Sequence, residues 1–170
     1  CGLICPDKFC MQACTRAGID FPINIPRVQA TILEKYRTAE SAAHPKLPAN
    51  GKKVAVIGAG PAGIAATAEL SRLGYRITLF ESFEKIGGAL NLIPDKRLPF
   101  EVIAKDWSFI DDPDMIELRL NTPVNNPAAL LEQDFDGVIV ATGEPEGINL
   151  GIDGEEHAVS YLDYLRHPEH

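Results

Sequence analysis

The 170-residue sequence is poorest in what would take a protein into a membrane or onto nucleic acid. No apolar run approaches the roughly 18 residues that span a bilayer, and no signal peptide is visible. Lys and Arg number 16 against 24 Asp and Glu, a formal net charge of -8. That surplus is repelled by phosphate backbones, so nucleic acid is not expected as the main partner. Cysteine is missing beyond residue 14, and no neighbouring pair has the C-x-x-C spacing of a zinc knuckle. Internal repeats and low-complexity tracts are absent. No nucleophile stands paired with a base, so no catalytic side chain is expected, and any redox chemistry would belong to a bound cofactor. His44, His157, His167 and His170 are scattered and read as surface. Methionine occurs only at Met11 and Met115, and the chain opens on Cys1, which suggests part of a longer protein.

What is present suits one ordinary domain. Apolar residues make up 45%, enough for a packed core, and 24% are charged, which is neither disordered nor fibrous composition. All four cysteines, Cys1, Cys5, Cys10 and Cys14, crowd the first 14 residues. Nothing marks secretion, so a cytoplasmic protein is expected and a disulfide framework is disfavoured. The cluster points to metal or redox chemistry, with disulfides and free thiols as alternatives. Thiolates suit iron–sulfur clusters and zinc alike, though the spacing weakens a structural zinc site.

Phe21 to Pro26 reads as extended because of its prolines. Val28, Ile32 and Tyr36 recur at helical spacing, predicting a helix over 27–42. Residues 44–51 read as a linker. From Lys52 the pattern becomes α/β. Val54–Ile57 is a buried strand, Pro61 opens a helix and Gly74 ends it, with alanines at 62, 65, 66 and 68 allowing close approach to a sheet. Strands follow over 76–80, 115–120 and 137–141. Helices follow over 100–110, with Trp107 in the core, and over 127–132, capped by Asn126. Asp111 to Asp114 reads as a helix end and solvated turn. Alternating strands and helices imply a mostly parallel sheet.

The chemistry is written at Gly58-Ala59-Gly60-Pro61-Ala62-Gly63. Alone, such a string is weak. Here a buried strand precedes it, a helix follows, and Glu81 closes the next strand 18 residues beyond Gly63, near the expected spacing of about twenty. Gly58 permits the turn, Gly60 lets a pyrophosphate approach the backbone, and Gly63 lets the helix pack on the sheet. The helix start at Pro61 and Ala62 offers its unpaired N–H groups to the phosphates, Pro61 itself having none. Glu81 can accept hydrogen bonds from ribose hydroxyls. The plain alternative is a structural glycine turn without a ligand, and spacing alone leaves FAD and NAD open.

Gly87-Gly88 and the strand end Ala141-Thr142-Gly143 resemble motifs of flavoprotein oxidoreductases with two dinucleotide-binding domains. Cys1-Gly2-Leu3-Ile4-Cys5-Pro6 with Cys10 and Cys14, Pro22-Ile23-Asn24-Ile25 with Gln29, Ile93-Pro94 with Arg97-Leu98-Pro99, and Tyr161 to Leu165 narrow the resemblance. Together they are similar to the branch holding the glutamate synthase small subunit and the N-terminal half of dihydropyrimidine dehydrogenase. The resemblance implies a Rossmann-like, α/β FAD-binding domain over 49–170, preceded by a small α-helical, cysteine-rich iron–sulfur segment over 1–48. It implies electrons passing from NAD(P)H through FAD to [4Fe–4S] clusters and on to an accepting subunit or domain. Cys5, Cys10, Cys14 and Gln29 match metal ligands. Ser82, Gly88, Leu90, Arg97, Val124, Ala141, Thr142 and Gly143 join the glycine turn and Glu81 as cofactor-binding positions. The NAD(P)H site would lie in a further domain, since no second glycine fingerprint exists here. The alternatives are a non-catalytic nucleotide-binding or docking scaffold, and an NAD-dependent dehydrogenase fragment without flavin.

Overall fold

The computed structural model describes residue 5 and residues 9–36, 46–144 and 150–166. Its centre is one sheet of four strands: β1 (Lys53–Ile57), β2 (Arg76–Phe80), β3 (Ile116–Arg119) and β4 (Gly137–Val140). All pairings are parallel, and the order is β3-β2-β1-β4. Val54 pairs with Ile77 on one side and with Gly137 on the other. Chain order therefore reverses across β1, which opens a crevice at the carboxyl ends of β1 and β4.

Side chains alternate across a strand, and the apolar run of β1 feeds two cores. Val54 and Val56 join Ile77, Leu79, Ile116, Ile103 and Trp107 on one face. That face is covered by α3 (Pro61–Arg72) and α4 (Phe100–Ser108). Ala55 and Ile57 join Phe80 and Leu130 on the other face, with Leu130 from the short α5 (Ala128–Leu131). Burial on both faces explains why the β1 stretch reads as continuous rather than alternating apolar. Trp107 is buried, as its place on the helix implies.

The contact line of α3 differs from the alanines that the sequence suggested. Gly63, Thr67 and Ser71, at spacing four, are the buried positions, while Ala62 and Ala65 are exposed. Helical periodicity counted from Gly63 selects them.

Residues 46–50, expected as a linker, are docked. The Leu47 and Asn50 N–H groups donate to the Arg72 and Gly74 carbonyls, 2.8 and 2.9 Å away. Lys46 Nζ meets Asp112 Oδ2 at 2.6 Å. These bonds satisfy carbonyls that a helix end leaves without partners. Gly74 has φ +85, and the Pro48 carbonyl lies where its Cβ would be.

Upstream, α1 (Phe9–Gln12) and a 3-10 turn over Thr15–Gly18 were not legible in the sequence. The next helix, α2, spans Ile25–Tyr36, so it starts earlier than expected, and 37–42 lie outside the described residues. Pro26 falls in its first turn, where no N–H is needed, and Asn24 Oδ1 accepts the Arg27 N–H at 3.1 Å. Asn126 does not cap α5: Pro127 holds that position, without a side-chain bond. The last helix, α6 (Tyr161–Arg166), buries Leu162. Among the described residues no helix is long and apolar enough to cross a membrane.

Candidate functional site

The glycine turn joins the end of β1 to the start of α3, at the mouth of the crevice. Gly58 has φ +100, and a Cβ there would overlap the Ala141 carbonyl oxygen. Its N–H donates to the Phe80 carbonyl at 2.7 Å. A Cβ on Gly63 would run into the Gly58 carbonyl. Packing within the protein thus accounts for both glycines.

Gly60 is different. Its φ of -76 and ψ of -178 suit any residue. A Cβ there would meet nothing closer than the Gly88 Cα at 3.9 Å. Neither conformation nor packing requires glycine at this position. Bare backbone here leaves open space among the described residues. The Gly60, Ala62 and Gly63 N–H groups have no acceptor among the described residues, and Pro61 has no N–H. Three donors at the positive end of a 12-residue helix form an anion cradle.

Glu81 faces this cradle. It is 5% exposed, and its Oε2 accepts the Ala59 N–H at 2.8 Å. Its Oε1 accepts the Ser82 hydroxyl at 3.1 Å and the Phe83 N–H at 3.0 Å. A carboxylate offers about four acceptor sites. Three are used, which leaves one, with the exposed Ser82 hydroxyl beside it, for an incoming hydroxyl.

Two further segments close on the turn. The Gly87 N–H donates to the Ala59 carbonyl at 2.8 Å, and a Cβ on Gly88 would stand 2.9 Å from the Gly60 Cα. On the other side, the Ala141 N–H donates to the Ile57 carbonyl at 2.8 Å, and Thr142 follows against Gly58. Gly58, Gly60, Gly63, Glu81, Ser82, Gly88, Ala141 and Thr142 therefore share one place. Gly143 follows at φ +76 with open space around it. Val124 packs with the Ile57 and Phe80 cluster. Leu90 turns half-buried toward the main core instead. Arg97 lies exposed on a turn closed by its own N–H and the Pro94 carbonyl.

The expected metal ligands are not gathered in this way. Cys5 and Cys10 are exposed, as is Gln29 on α2, and Cys14 is half-buried. Among the described residues no three His, Cys, Asp or Glu side chains are placed to hold a metal ion. The Cys14 thiol is held below its ordinary pKa, first by the Ile23 N–H and then by the Arg16 N–H.

Sequence reading missed the bonds that tie the end of β3 to the end of β2. The Asn121 N–H donates to the Phe83 carbonyl at 2.9 Å, and the Thr122 N–H to the Glu81 carbonyl at 2.7 Å. Asn121 adopts φ 52, a conformation that Asn tolerates better than most residues. Asn-Thr-Pro directly after a strand was the available signal.

The chain is similar to several known proteins. A family model described as an NAD(P)-binding Rossmann-like domain matches residues 56–108. The NAD-dependent dihydropyrimidine dehydrogenase subunit PreT of Escherichia coli is 34% identical over 171 residues, which is 98% of this chain and 41% of PreT. The small chain of glutamate synthase (NADPH) from Bacillus subtilis is 33% identical over 171 residues, 96% of this chain and 34% of its own length. Over nearly its whole length the chain is similar to PreT and to the glutamate synthase small chain. It spans about two-fifths of the length of its PreT relatives. Among solved structures, FprA from Mycobacterium tuberculosis matches with TM-score 0.57 at 21% identity, over 71% of this chain and 29% of FprA, and so shares the fold. Histamine dehydrogenase from Rhizobium sp. 4-9 matches with TM-score 0.50 at 29% identity, over 66% of this chain and 18% of its own. The parallel, Rossmann-like reading of the sheet holds.

Proposed function

We propose that this chain grips the ADP end of FAD within an NAD(P)H-dependent oxidoreductase. Gly60 carries the proposal: its bare backbone and the three N–H groups around it fit a pyrophosphate and have no acceptor among the described residues. Glu81 and Ser82 hold the ribose, and Gly88 keeps the following loop against the turn. Ala141, Thr142 and Gly143 border the path of the cofactor, as do Val124 and Arg97 at greater distance from the turn. When bound, the flavin supplies hydride acceptance and the release of single electrons. The residues here bind, orient and exclude water.

NAD(P)H would be the electron source, acting on a further domain of the longer protein. The accepting side would be a partner subunit or domain, in keeping with relatives described as subunits, PreT and the formate dehydrogenase beta subunit of Moorella thermoacetica. The resemblance to that branch, with thiolates as soft ligands, supports [4Fe–4S] clusters as the exit. Cys5, Cys10 and Cys14 do not form a metal-holding group in the described segment, so no electron step is assigned to them.

NAD in the same turn is the second reading, favoured by the matching family model. The two separate on colour, because only a flavin absorbs in the visible. Glu81→Ala tests the ribose role. Losing a charged hydrogen bond of about 1.5–3 kcal/mol should weaken flavin binding roughly 10- to 100-fold, read as flavin retained after desalting. Full retention would remove Glu81 from the site.

A further inference from the structure

We propose that Phe83 is the stacking face for the nucleotide base, an inference that rests on the nucleotide reading of the turn. The ligand's own order sets the direction. Pyrophosphate on Gly60 to Gly63 and ribose at Glu81 leave the base to continue past Glu81, away from the turn. The Glu81 carboxylate spans that step: Oε2 takes the Ala59 N–H on the turn side, and Oε1 takes the Phe83 N–H on the far side.

Phe83 is 61% exposed. Single exposed apolar residues are common and usually need no explanation. This one is set apart by its mounting. Its N–H is tied to Glu81 and its carbonyl to the Asn121 N–H, while Thr122 binds the Glu81 carbonyl. The two turns, 81–83 and 121–122, are thus stitched into one platform with an aromatic ring on it. A fixed backbone under a ring that lacks cover is a ready stacking surface, and aromatic–base stacking requires no particular base edge. Phe83 would therefore set affinity for a nucleotide carrying a planar base and contribute nothing to the phosphates.

The test is calorimetric titration of the protein, Phe83→Ala and Phe83→Trp with ADP, and with inorganic pyrophosphate as a probe without a base. Stacking strengths imply that Phe83→Ala binds ADP about tenfold more weakly. Pyrophosphate binding and melting temperature should be unchanged, and Phe83→Trp should keep the original ADP affinity. ADP affinity in Phe83→Ala within twofold of the unsubstituted protein would overturn the stacking role and leave the nucleotide site standing. Equal loss of ADP and pyrophosphate would also overturn it, since Phe83 would then act through the fold. An unsubstituted protein that binds no ADP would bring down the nucleotide reading, and this inference with it.

Discussion

Gly60→Val should fold as the unsubstituted protein does and lose its nucleotide. The expectation follows from the asymmetry of the turn. Gly60 sits in ordinary extended backbone, and its nearest obstacle to a Cβ is 3.9 Å away. Its replacement therefore strains little. The new side chain instead fills the space before the Gly60, Ala62 and Gly63 N–H groups, the space a pyrophosphate needs. Losing two hydrogen bonds to a charged group, at about 1.5–3 kcal/mol each, corresponds to roughly 10²- to 10⁴-fold weaker binding. Circular dichroism melting and flavin absorbance of the purified protein check the two halves separately. A yellow, normally folded Gly60→Val protein would refute the assignment. Gly60→Ala should show the same pattern more weakly.

Gly63→Ala should do the opposite and damage the fold first. Its Cβ would run into the Gly58 carbonyl and come within 3.5 Å of Val56 Cγ1. Neither can yield cheaply, because Gly58 is itself pinned by Phe80 and Ala141, and Val56 is fully buried. Overpacking in such a place costs about 3 kcal/mol or more. For a chain of this size that lowers the melting temperature by roughly 6–12 °C. Thermal unfolding of the nucleotide-free protein reads this without reference to any ligand. A melting temperature unchanged by Gly63→Ala would mean that helix and turn are not packed as described.

These two glycines mark what was legible in the sequence. The motif gave each glycine its role, and the structure separates those roles: Gly58 and Gly63 answer to the protein, Gly60 does not. The sheet was legible too, because an apolar run followed by glycine, proline and helix leaves little choice of fold. Local geometry was less so. The contact line of α3 uses Thr67 and Ser71, where alanines seemed the natural contacts, since helical phase from Gly63 outranks composition. The linker could not be seen as docked, because its bonds run to carbonyls at the end of α3 and to Asp112, partners remote in sequence. Glu81 was legible as an acid at the right distance, but its bonds to Ala59 and Phe83 are set by turn geometry. The cysteine segment was legible only as ligand chemistry. Spacing fixes which atoms could bind a metal, and it cannot place them together.

The most direct measurement is a backbone amide NMR titration of the protein with ADP. If the turn grips pyrophosphate, the Gly60, Ala62 and Gly63 amide signals shift strongly and saturate together, with Ser82 and Phe83 following. Saturating ADP that leaves those three amides unmoved, or moves only residues remote from the crevice, would contradict the account.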